Sequence, residues 1–326
     1  MNVPPKEFLR VPVEALRRLT EDLFVRAGTP GPQAQIIAEL LVDTDLRGVF
    51  SHGTTCTPRY VRGMLEGQIN PAPQVRVVRD EPVTAVIDGD GGLGHIATHH
   101  ATEMVITKAR QQGLGAVGGR PHAHFGGAGK YTRLIIRQDC VGFCVSGHTM
   151  GPYHVEHAVW NPLGNPPLSF AFPADQEAPL VLDMGTSLFE PEHFPGVFQQ
   201  APAAFFKSLG LVGVAHFLAG ILAGLMAEEC RPGTRTWAGA GYGAFVLALD
   251  IGRFVEVRAF KQEADRAQRA LHGLPPLPGY GRYDLPGGPE HEREQEYRAL
   301  GVPLGREHRE GLEETAARLG VSVPWR

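Results

Sequence analysis

The sequence predicts a mixed α/β fold, with helices at both ends of the chain and a sheet-rich middle. Three observations predict this class. Near the N-terminus, apolar residues recur at the spacing of an amphipathic helix. In the middle, short β-type runs are separated by clusters of Gly, Pro and His. Near the C-terminus, Glu290 to Leu319 combine charged residues with Leu at helical spacing. The 326 residues allow more than one compact unit, because single cores stop growing near roughly 250 residues.

The N-terminal segment is predicted to be helical. Residues 12–48 contain a helix, a turn at Thr29 to Pro32 and a second helix. A third helical run from Thr57 to Leu65 ends at Gly67, and prolines then close the segment. We therefore place a first, helical domain at residues 1–75.

The middle of the chain is predicted to carry the sheet. Residues 83–88 form a β-rich run, followed by a glycine turn and a helix from about His95 to Gln112. Further β-type runs lie at 114–117, 141–146, 168–172, 180–182 and 243–249. A helix over 254–272 follows the last of them. We place a sheet-rich cofactor and substrate domain at residues 76–270.

The apolar run from Leu209 to Met226 is predicted to be a buried helix. A bilayer span needs about 20 dominantly apolar residues, whereas this run is interrupted by His216 and by four glycines. We therefore expect no membrane association. Residues 275–289 are rich in Pro and Gly and form a crossing segment, and we expect residues 271–326 to pack back on the N-terminal domain.

Composition and charge exclude several classes of protein. The net charge of −4 comes from 31 basic and 35 acidic residues spread along the chain, which gives no basic surface for nucleic acid. The four cysteines form neither a CxxC pair nor the dense spacing of secreted domains, and the N-terminus does not resemble a secretion signal. We expect a cytoplasmic protein whose partner is a small molecule.

A glycine motif at residues 89–94 satisfies GxGxxG between a predicted strand and a predicted helix. A dinucleotide-binding fingerprint also needs an acidic residue about 20 positions further on, to hold the ribose. The next strand, Leu114 to Val117, is followed by Gly118, Gly119 and Arg120, so that acid is missing. We favour a glycine turn at a strand-to-helix corner, and a phosphate contact at the helix N-terminus stays open.

Histidine is frequent, and many of the 14 histidines are clustered. The clusters contain His52, His99, His100, His122, His124, His148, His154 and His157. Zinc sites need three or four ligands in fixed geometry, and here no HExxH motif and no Cys partner at suitable spacing accompanies the histidines. We expect no metal, and a metal site stays the less favoured alternative.

The pair Ser51–His52 stands where the second predicted helix ends. A Ser–His pair raises the possibility of hydrolysis, but a nucleophilic serine normally needs a sharp elbow and a base from elsewhere in the chain. A histidine with a pKa near neutrality is well suited to give a proton to a carbonyl oxygen as hydride arrives on carbon. We favour this second role over a hydrolase.

Motifs along nearly the whole chain resemble the malate/L-lactate dehydrogenase type-2 family. They are LRGVFSHG (46–53), PRY (58–60), GQINP (67–71), DGDGGLGH (88–95), HFGGAG (124–129), LGNP (163–166), LDMGTS (182–187) and PGGPE (286–290). The motifs occur in the order of the family. The resemblance implies a homodimer whose NAD or NADP cofactor lies on a mostly antiparallel central sheet with flanking helices rather than on a Rossmann domain.

The resemblance also implies roles for individual residues. His52 is the proton donor to the substrate, Asp183 is its carboxylate partner and Ser51 belongs to the same catalytic group. An ionised Asp beside His favours the imidazolium, although Asp183 also suits a turn or cap before Gly185. The implied substrate-binding residues are Arg59, Cys56 and Arg47, and the implied cofactor-binding residues are His124, Phe125, Gly126, Gly127, Thr186, Ser187 and Lys207.

The chain departs from the family pattern at two places. The family has an arginine five residues after the serine, suited to hold the substrate carboxylate, and this chain has Cys56 there. Arg59 lies three residues on and is a candidate replacement. Residues 188–206 are shorter than the corresponding family segment, and Lys207 with Gly210 is the remnant of its Lys-Gly-Tyr-Gly-Leu motif. Asn165 also stands one place early.

Two functions follow from these observations. The first is an oxidoreductase that transfers a hydride between a nicotinamide cofactor and a small 2-oxo or 2-hydroxy acid or a cyclic imino acid. The alternative is a family member that has lost nicotinamide chemistry and performs another reaction or a binding role, and Cys56 with the short 188–206 segment motivates it.

Overall fold

A seven-stranded sheet forms the centre of the fold in the computed structural model, which describes residues 4–148, 164–188, 194–279 and 281–325. Its strand order is β2-β3-β4-β8-β5-β6-β7. The strands are β2 (Arg76–Asp80), β3 (Thr84–Asp88), β4 (Leu114–His122), β5 (Cys140–His148), β6 (Pro167–Phe172), β7 (Leu180–Gly185) and β8 (Tyr242–Asp250). Only β3 and β4 pair in parallel, and every other neighbouring pair is antiparallel. The prediction of a mixed α/β, mostly antiparallel, non-Rossmann fold is confirmed.

Helices cover both faces of this sheet. On one face lie α4 (Gly94–Gln112) and α5 (Gly129–Ile136). Small residues of α4 spaced four apart, such as Ala97 and Ala101, pack with Val117 and Val246 of the sheet in the largest apolar core. On the other face, Ala215 and Ala219 pack against Val145 and Leu168.

Both ends of the chain share a second core. β1 (Phe8–Val11) pairs antiparallel with β9 (Val302–Gly305). The helices of this region are α1 (Val13–Arg26), α2 (Gly31–Leu46), α3 (Thr57–Leu65), α9 (Gly288–Leu300) and α10 (Arg306–Leu319). Leu16 and Leu23 of α1 pack with Tyr297 of α9 and Leu312 of α10. The expected return of the C-terminal segment onto the N-terminal helices is therefore found, while the three domain boundaries stay a prediction.

Several elements of the fold were not predicted. β2 has the sequence RVVRD and is exposed along its whole length, so it lacks the alternation that marks a half-buried strand. β9 is short and contains Pro303. α5 begins at the end of the HFGGAG motif, whose residues we interpreted only as cofactor-binding. The remaining helices, α6 (Phe194–Gln200), α7 (Pro202–His216) and α8 (Val257–His272), follow β7 and β8.

The apolar run forms a helix that is buried on one face only. α7 continues as a π-helical turn over Phe217–Leu222. The 21-residue stretch Pro202–Leu222 is long and apolar enough to cross a membrane by length and composition, a test that core helices also pass, and 39% of its most apolar window is buried. Val214 and Phe217 are exposed. The prediction of a buried helix is therefore wrong for this outer face.

The glycines of residues 89–94 serve packing. A Cβ at Gly91 would lie 2.3 Å from the Trp237 ring, and one at Gly92 would lie 2.3 Å from Pro73. Side chains of the protein therefore occupy the space that a bound phosphate would need beside these two residues. This contact favours the glycine-turn interpretation.

Candidate active site

A cleft of about 640 Å³ joins segments from the N-terminal, middle and C-terminal parts of the chain. Its lining includes Ser51, His52, His124, Gly127, Asn165, Asp183, Gly185, Pro286 and Gly287. Cavities that hold small ligands in proteins commonly have volumes of about 300–1,000 Å³. The structure therefore brings His52, His124 and Asp183 to one cavity of suitable size.

A buried carboxylate beneath the cleft holds the loop that carries His52. Asp45, in the last turn of α2, accepts hydrogen bonds at its Oδ2 from the Thr54 amide (3.0 Å) and the Thr54 hydroxyl (2.5 Å). The Thr54 hydroxyl also lies 2.8 Å from Nε2 of His308 on α10. Burial raises the pKa of Asp45 to about 7. These contacts explain how the loop after α2 stays in one conformation.

Gly53 is required by this packing, and we expect Gly53→Ala to destabilise the protein. An added Cβ would lie 1.8 Å from Oδ1 of Asp45, and overpacking of a tight site costs about 1–3 kcal/mol in the free energy of unfolding. Chemical denaturation measures this change. Gly31→Ala is the matched control, because no atom lies within 4 Å of its added Cβ. Equal unfolding midpoints for the two variants would contradict the assigned role of Asp45.

His52 is placed in the cleft but is not paired with Asp183. The Ser51 hydroxyl lies 2.9 Å from Nδ1 of His52. Burial, followed by the positive charges of Lys130 and Arg59, lowers the pKa of His52. Among the described residues no hydrogen bond or ion pair joins His52 and Asp183. The expectation that Asp183 holds His52 as an imidazolium is therefore not met in this structure.

His124 is held as a neutral ring whose ring centroid lies 5.7 Å from that of His52. Nδ1 of His124 lies 2.6 Å from the Tyr60 hydroxyl and 3.3 Å from a guanidinium nitrogen of Arg59. Burial, with Arg59 as the next cause, lowers the pKa of His124 to about 3. Because a guanidinium only donates, Nδ1 accepts and the ring proton is on Nε2. His124 therefore offers an N–H donor.

Asp183 lies on β7 beside the N-terminus of α5. The Asp183 side chain is exposed to the cleft. Desolvation by the surrounding protein atoms raises the pKa of its carboxyl group, whereas the charge of Arg133 and the backbone amides of Gly129 and Ala128 lower it. A Cβ at Gly129 would lie 2.5 Å from Oδ2 of Asp183. Asp183 therefore lies in the cleft beside the first residues of α5, and not at a turn or cap before Gly185, because β7 continues to that glycine.

Lys130 is a buried cation near the site that was not predicted from the sequence. Its Nζ lies 3.0 Å from Nε2 of His95, and burial lowers the pKa of Lys130 to about 8. His95 itself is fully buried, and its pKa is lowered by burial and by Lys130. The sequence shows Lys130 directly after a glycine-rich motif, but only the packing of α5 against α4 shows that it is enclosed.

Arg47, which the resemblance implied as a substrate-binding residue, is a structural residue here. Its guanidinium is buried and forms ion pairs with Asp43 (2.8 Å) and Glu294 (2.7 Å). The pair with Glu294 connects the end of α2 to α9, because the C-terminal segment packs back over the N-terminal helices. Both terminal nitrogens of Arg47 are therefore already bonded within the protein, and Arg47 does not line the cleft.

The other two predicted substrate-binding residues, Cys56 and Arg59, follow His52 in the chain. The Cys56 thiol donates to the Ser51 carbonyl oxygen at 3.2 Å, and burial raises its pKa. Arg59 is exposed and contacts His124 and Tyr60. Neither side chain lines the cleft.

The predicted cofactor-binding residues divide into two groups. His124 and Gly127 line the cleft, whereas Gly126 is buried, and a Cβ added there would lie 2.4 Å from Nζ of Lys130. The other four residues do not line the cleft: Phe125 lies in the main core, and Lys207 is exposed on α7. The buried Thr186 hydroxyl donates to the Pro166 carbonyl oxygen at 2.9 Å. The Ser187 amide donates to Asn165 Oδ1 at 2.8 Å. Ser208, which we did not predict, connects α7 to this segment by donating to Thr186 O.

Metal ligation was the less favoured interpretation of the histidine clusters. In residues 4–148, 164–188, 194–279 and 281–325, no group of three His, Cys, Asp or Glu residues is arranged to hold a metal ion. His154 and His157 lie outside the described residues.

Comparison with known proteins places most of the chain in one family model. The model of malate/L-lactate dehydrogenase matches residues 11–194 and 191–313. The malate dehydrogenase of Pyrococcus horikoshii is 28% identical over 97% of each chain. The L-sulfolactate dehydrogenase of Methanocaldococcus jannaschii is 37% identical over 52% of this chain and 49% of its own length.

Solved structures share the fold along nearly the whole chain. The malate dehydrogenase of Pyrococcus horikoshii superposes with a TM-score of 0.86 at 27% identity, covering 99% of both chains. The Δ1-piperideine-2-carboxylate reductase of Pseudomonas syringae has a TM-score of 0.74 at 21% identity, covering 94% of this chain and all of its own, which is a likeness of fold.

Proposed function

The chain belongs to the malate/L-lactate dehydrogenase family, and we propose that it uses NADH or NADPH to reduce the C=O or C=N beside a small carboxylate. Relatives named as dehydrogenases support oxidoreduction in general. The observation that carries the proposal for this chain is the single cleft shared by His52, His124 and Asp183. These residues come from three distant parts of the sequence, which argues against a chance arrangement.

The residues present fit the nicotinamide end of such a cofactor. Gly127 leaves bare backbone in the cleft wall, and His124 lies in the same wall with its N–H donor on Nε2. Asn165 also lines the cleft, and its side chain accepts a hydrogen bond from the Ser187 amide. When bound there, the nicotinamide supplies a hydride to the substrate carbon.

His52 supplies the proton in the proposed reaction. In the protonated ring, Nδ1–H donates to the Ser51 hydroxyl, since these atoms lie 2.9 Å apart. Nε2–H is then the group that gives its proton to the oxygen or nitrogen of the substrate as negative charge develops there. Ser51 is a positioning residue, because it orients the ring without touching the reacting atoms.

The lowered pKa of His52 predicts opposite pH dependences for the two directions of reaction. Reduction needs the protonated ring, so kcat/KM should fall as pH rises through a pKa below the usual 6.5. Oxidation of a 2-hydroxy acid needs the neutral ring, so its kcat/KM should rise over the same range. Initial rates between about pH 4.5 and 9 measure both profiles.

The control for these profiles is His52→Gln, whose residual activity should lack the pH dependence that we assign to the His52 ring. Asp45 and Lys130 also titrate near this range, and the variant separates their effect from that of His52. A reduction profile that stays flat to pH 8 would contradict the lowered pKa.

A direct assay tests the proposed activity. Purified protein is mixed with NADH or NADPH and a panel of 2-oxo acids and cyclic imino acids, and oxidation of the cofactor is followed by its absorbance. We expect turnover with at least one compound. If no compound is reduced and calorimetry detects no cofactor binding, the proposal is rejected.

A family member without nicotinamide chemistry is the second candidate. Cys56 favours it, because this residue stands where the family has an arginine and its thiol is turned toward the Ser51 carbonyl oxygen. In that case the cleft binds a small molecule but neither NADH nor NADPH, and the same calorimetry separates the two candidates.

We also propose that two copies of the chain associate through the outer face of α7 and that the protein is cytoplasmic. Phe206, Val214 and Phe217 are exposed on this helix, and no atom lies within 4 Å of a Cβ added at Gly210 or Gly213. An apolar surface of this kind marks an interaction site. All four cysteines are free, which suits a reducing compartment.

A charge on this face should separate the two copies. We expect Val214→Asp to convert a dimer to a monomer in light scattering, because the aspartate would be desolvated at the interface. Phe254→Asp is the control, since Phe254 is 70% exposed and lies away from α7. A dimer that persists in the Val214→Asp variant contradicts this interface.

A further inference from the structure

Arg133 is a cation of the cleft without a partner. It lies on α5 and lines the same cavity as His52 and Asp183. Among the described residues, no acceptor is hydrogen-bonded to its guanidinium and no carboxylate lies within the 4.0 Å of an ion pair. Arg47, one of its nearest charged neighbours, forms two short ion pairs. An enclosed charge without a partner is costly.

Arg133 lies among charged groups of both signs but pairs with none of them. Burial, followed by the positive charge of Arg47, lowers the pKa of Arg133 to about 10, although Asp43, Asp183 and Glu290 act in the opposite direction. These carboxylates are near enough to contribute but not close enough to pair. The planar guanidinium has five N–H donors and suits a carboxylate in a two-bond geometry.

Arg133 and Asp183 lie on the same side of Gly129. A Cβ at Gly129 would lie 2.8 Å from a terminal nitrogen of Arg133 and 2.5 Å from Oδ2 of Asp183. The two charged groups therefore border one part of the cleft beside bare backbone. A substrate carboxylate placed against Arg133 would lie in the cavity that His52 also lines.

The position of Arg133 also bears on the departure at Cys56. The family pattern has its arginine at that position, on the loop of His52, whereas here the thiol is buried against Ser51. The cleft of this chain has its unpaired cation on α5 instead.

We propose that Arg133 binds the substrate carboxylate by two parallel hydrogen bonds, in place of the arginine that the family has at position 56. This inference rests on the proposed function for the identity of the substrate, a 2-oxo or imino acid. It assigns a specificity-determining role to a residue that the sequence motifs did not indicate.

Binding of oxalate, a planar dicarboxylate that resembles a 2-oxo acid, tests this role without requiring turnover. Calorimetry on the full chain should give a dissociation constant for oxalate that is at least tenfold weaker in Arg133→Gln than in the wild type. Arg133→Lys should bind oxalate with intermediate affinity, because lysine keeps the positive charge but cannot form the two parallel hydrogen bonds of a guanidinium. The control is Arg137→Gln, whose side chain is 53% exposed and lies at the end of the same helix.

Thermal unfolding of each variant shows whether the fold survives, and Arg133→Lys keeps the test usable if Arg133→Gln does not fold. For any 2-oxo acid that is reduced, KM should rise at least tenfold in Arg133→Gln, with a smaller change in kcat. Oxalate binding that is equal in the wild type and Arg133→Gln would overturn the inference, and so would a wild type that does not bind oxalate.

The two proposals fail in different ways. If the wild type oxidises no cofactor but loses oxalate binding on Arg133 substitution, the anion site stands and the reductase does not. If the wild type reduces a 2-oxo acid and Arg133→Gln keeps both its KM and its oxalate affinity, the reductase stands and the role of Arg133 does not.

Discussion

Replacement of His52 by alanine is expected to lower kcat for reduction by roughly 10²–10⁴-fold and to leave cofactor affinity unchanged. The imidazole gives its proton only in the transition state, so its loss should not weaken binding in the ground state. The ring is partly exposed in the cleft, and its side-chain hydrogen bond is to Ser51, so little folding stability depends on it. Steady-state kinetics and calorimetry with NADH or NADPH measure the two quantities.

His100→Ala is the matched control for this experiment. His100 is an exposed histidine on α4 that lies outside the cleft, so its variant should keep both turnover and binding. If His52→Ala lost cofactor affinity as strongly as kcat, His52 would be part of the binding surface rather than the proton donor.

Substitution of Asp183 by asparagine is expected to reduce both stability and activity. Asn keeps the size of the side chain but removes the charge that faces Arg133 and the amides of Gly129 and Ala128. Loss of charge-assisted hydrogen bonds costs about 1.5–3 kcal/mol in the free energy of unfolding. Because α5 carries Arg133, displacement of its first turn should lower kcat/KM on the order of 10²-fold.

Asp265→Asn separates the two effects. Asp265 is buried and accepts hydrogen bonds from the backbone amides of Asp175, Gln176 and Glu177 at 3.0–3.2 Å, outside the cleft. Its variant should lose stability in the same range and keep kcat/KM. If Asp183→Asn lost only stability, Asp183 would be a helix cap without influence on the reaction.

Local sequence patterns predicted the elements whose ends carry residues typical of helix termini, such as proline and glycine. α3 was predicted over Thr57 to Leu65 and has these bounds, because Pro58 favours a first helical turn and Gly67 follows its end. α5 was missed because glycines, which are poor helix formers, surround its first turn. The exposed face of α7 was not predicted, because its sequence carries one charged residue, Lys207, among residues that are mostly apolar.

The sequence predicted only those residues of the candidate site that belong to short motifs of the family. His52, His124 and Asp183 stand in motifs of the family, and the structure brings them to one cleft. The partners that decide the role of a charge are distant in sequence. Glu294, which pairs with Arg47, lies 247 residues away, and the pattern around Arg47 did not indicate it.

Lys130 and Arg133 are two residues of the site region that the sequence did not indicate. Both are ordinary charged residues in the sequence of α5, and neither belongs to a motif that we interpreted. Their significance comes from enclosure, because one contacts His95 of α4 and the other lines the cleft beside Asp183. Such enclosure depends on the packing of α5 against the sheet and α4.

A structure of the protein with NADPH and oxalate tests the proposed active site most directly. It should place the nicotinamide in the cavity of His52 and His124, with the reactive carbon within about 3–3.5 Å of an oxalate carbon. Oxalate should lie within hydrogen-bonding distance of both Nε2 of His52 and the guanidinium of Arg133. A nucleotide bound elsewhere on the surface, with His52 facing neither ligand, would contradict the proposed site.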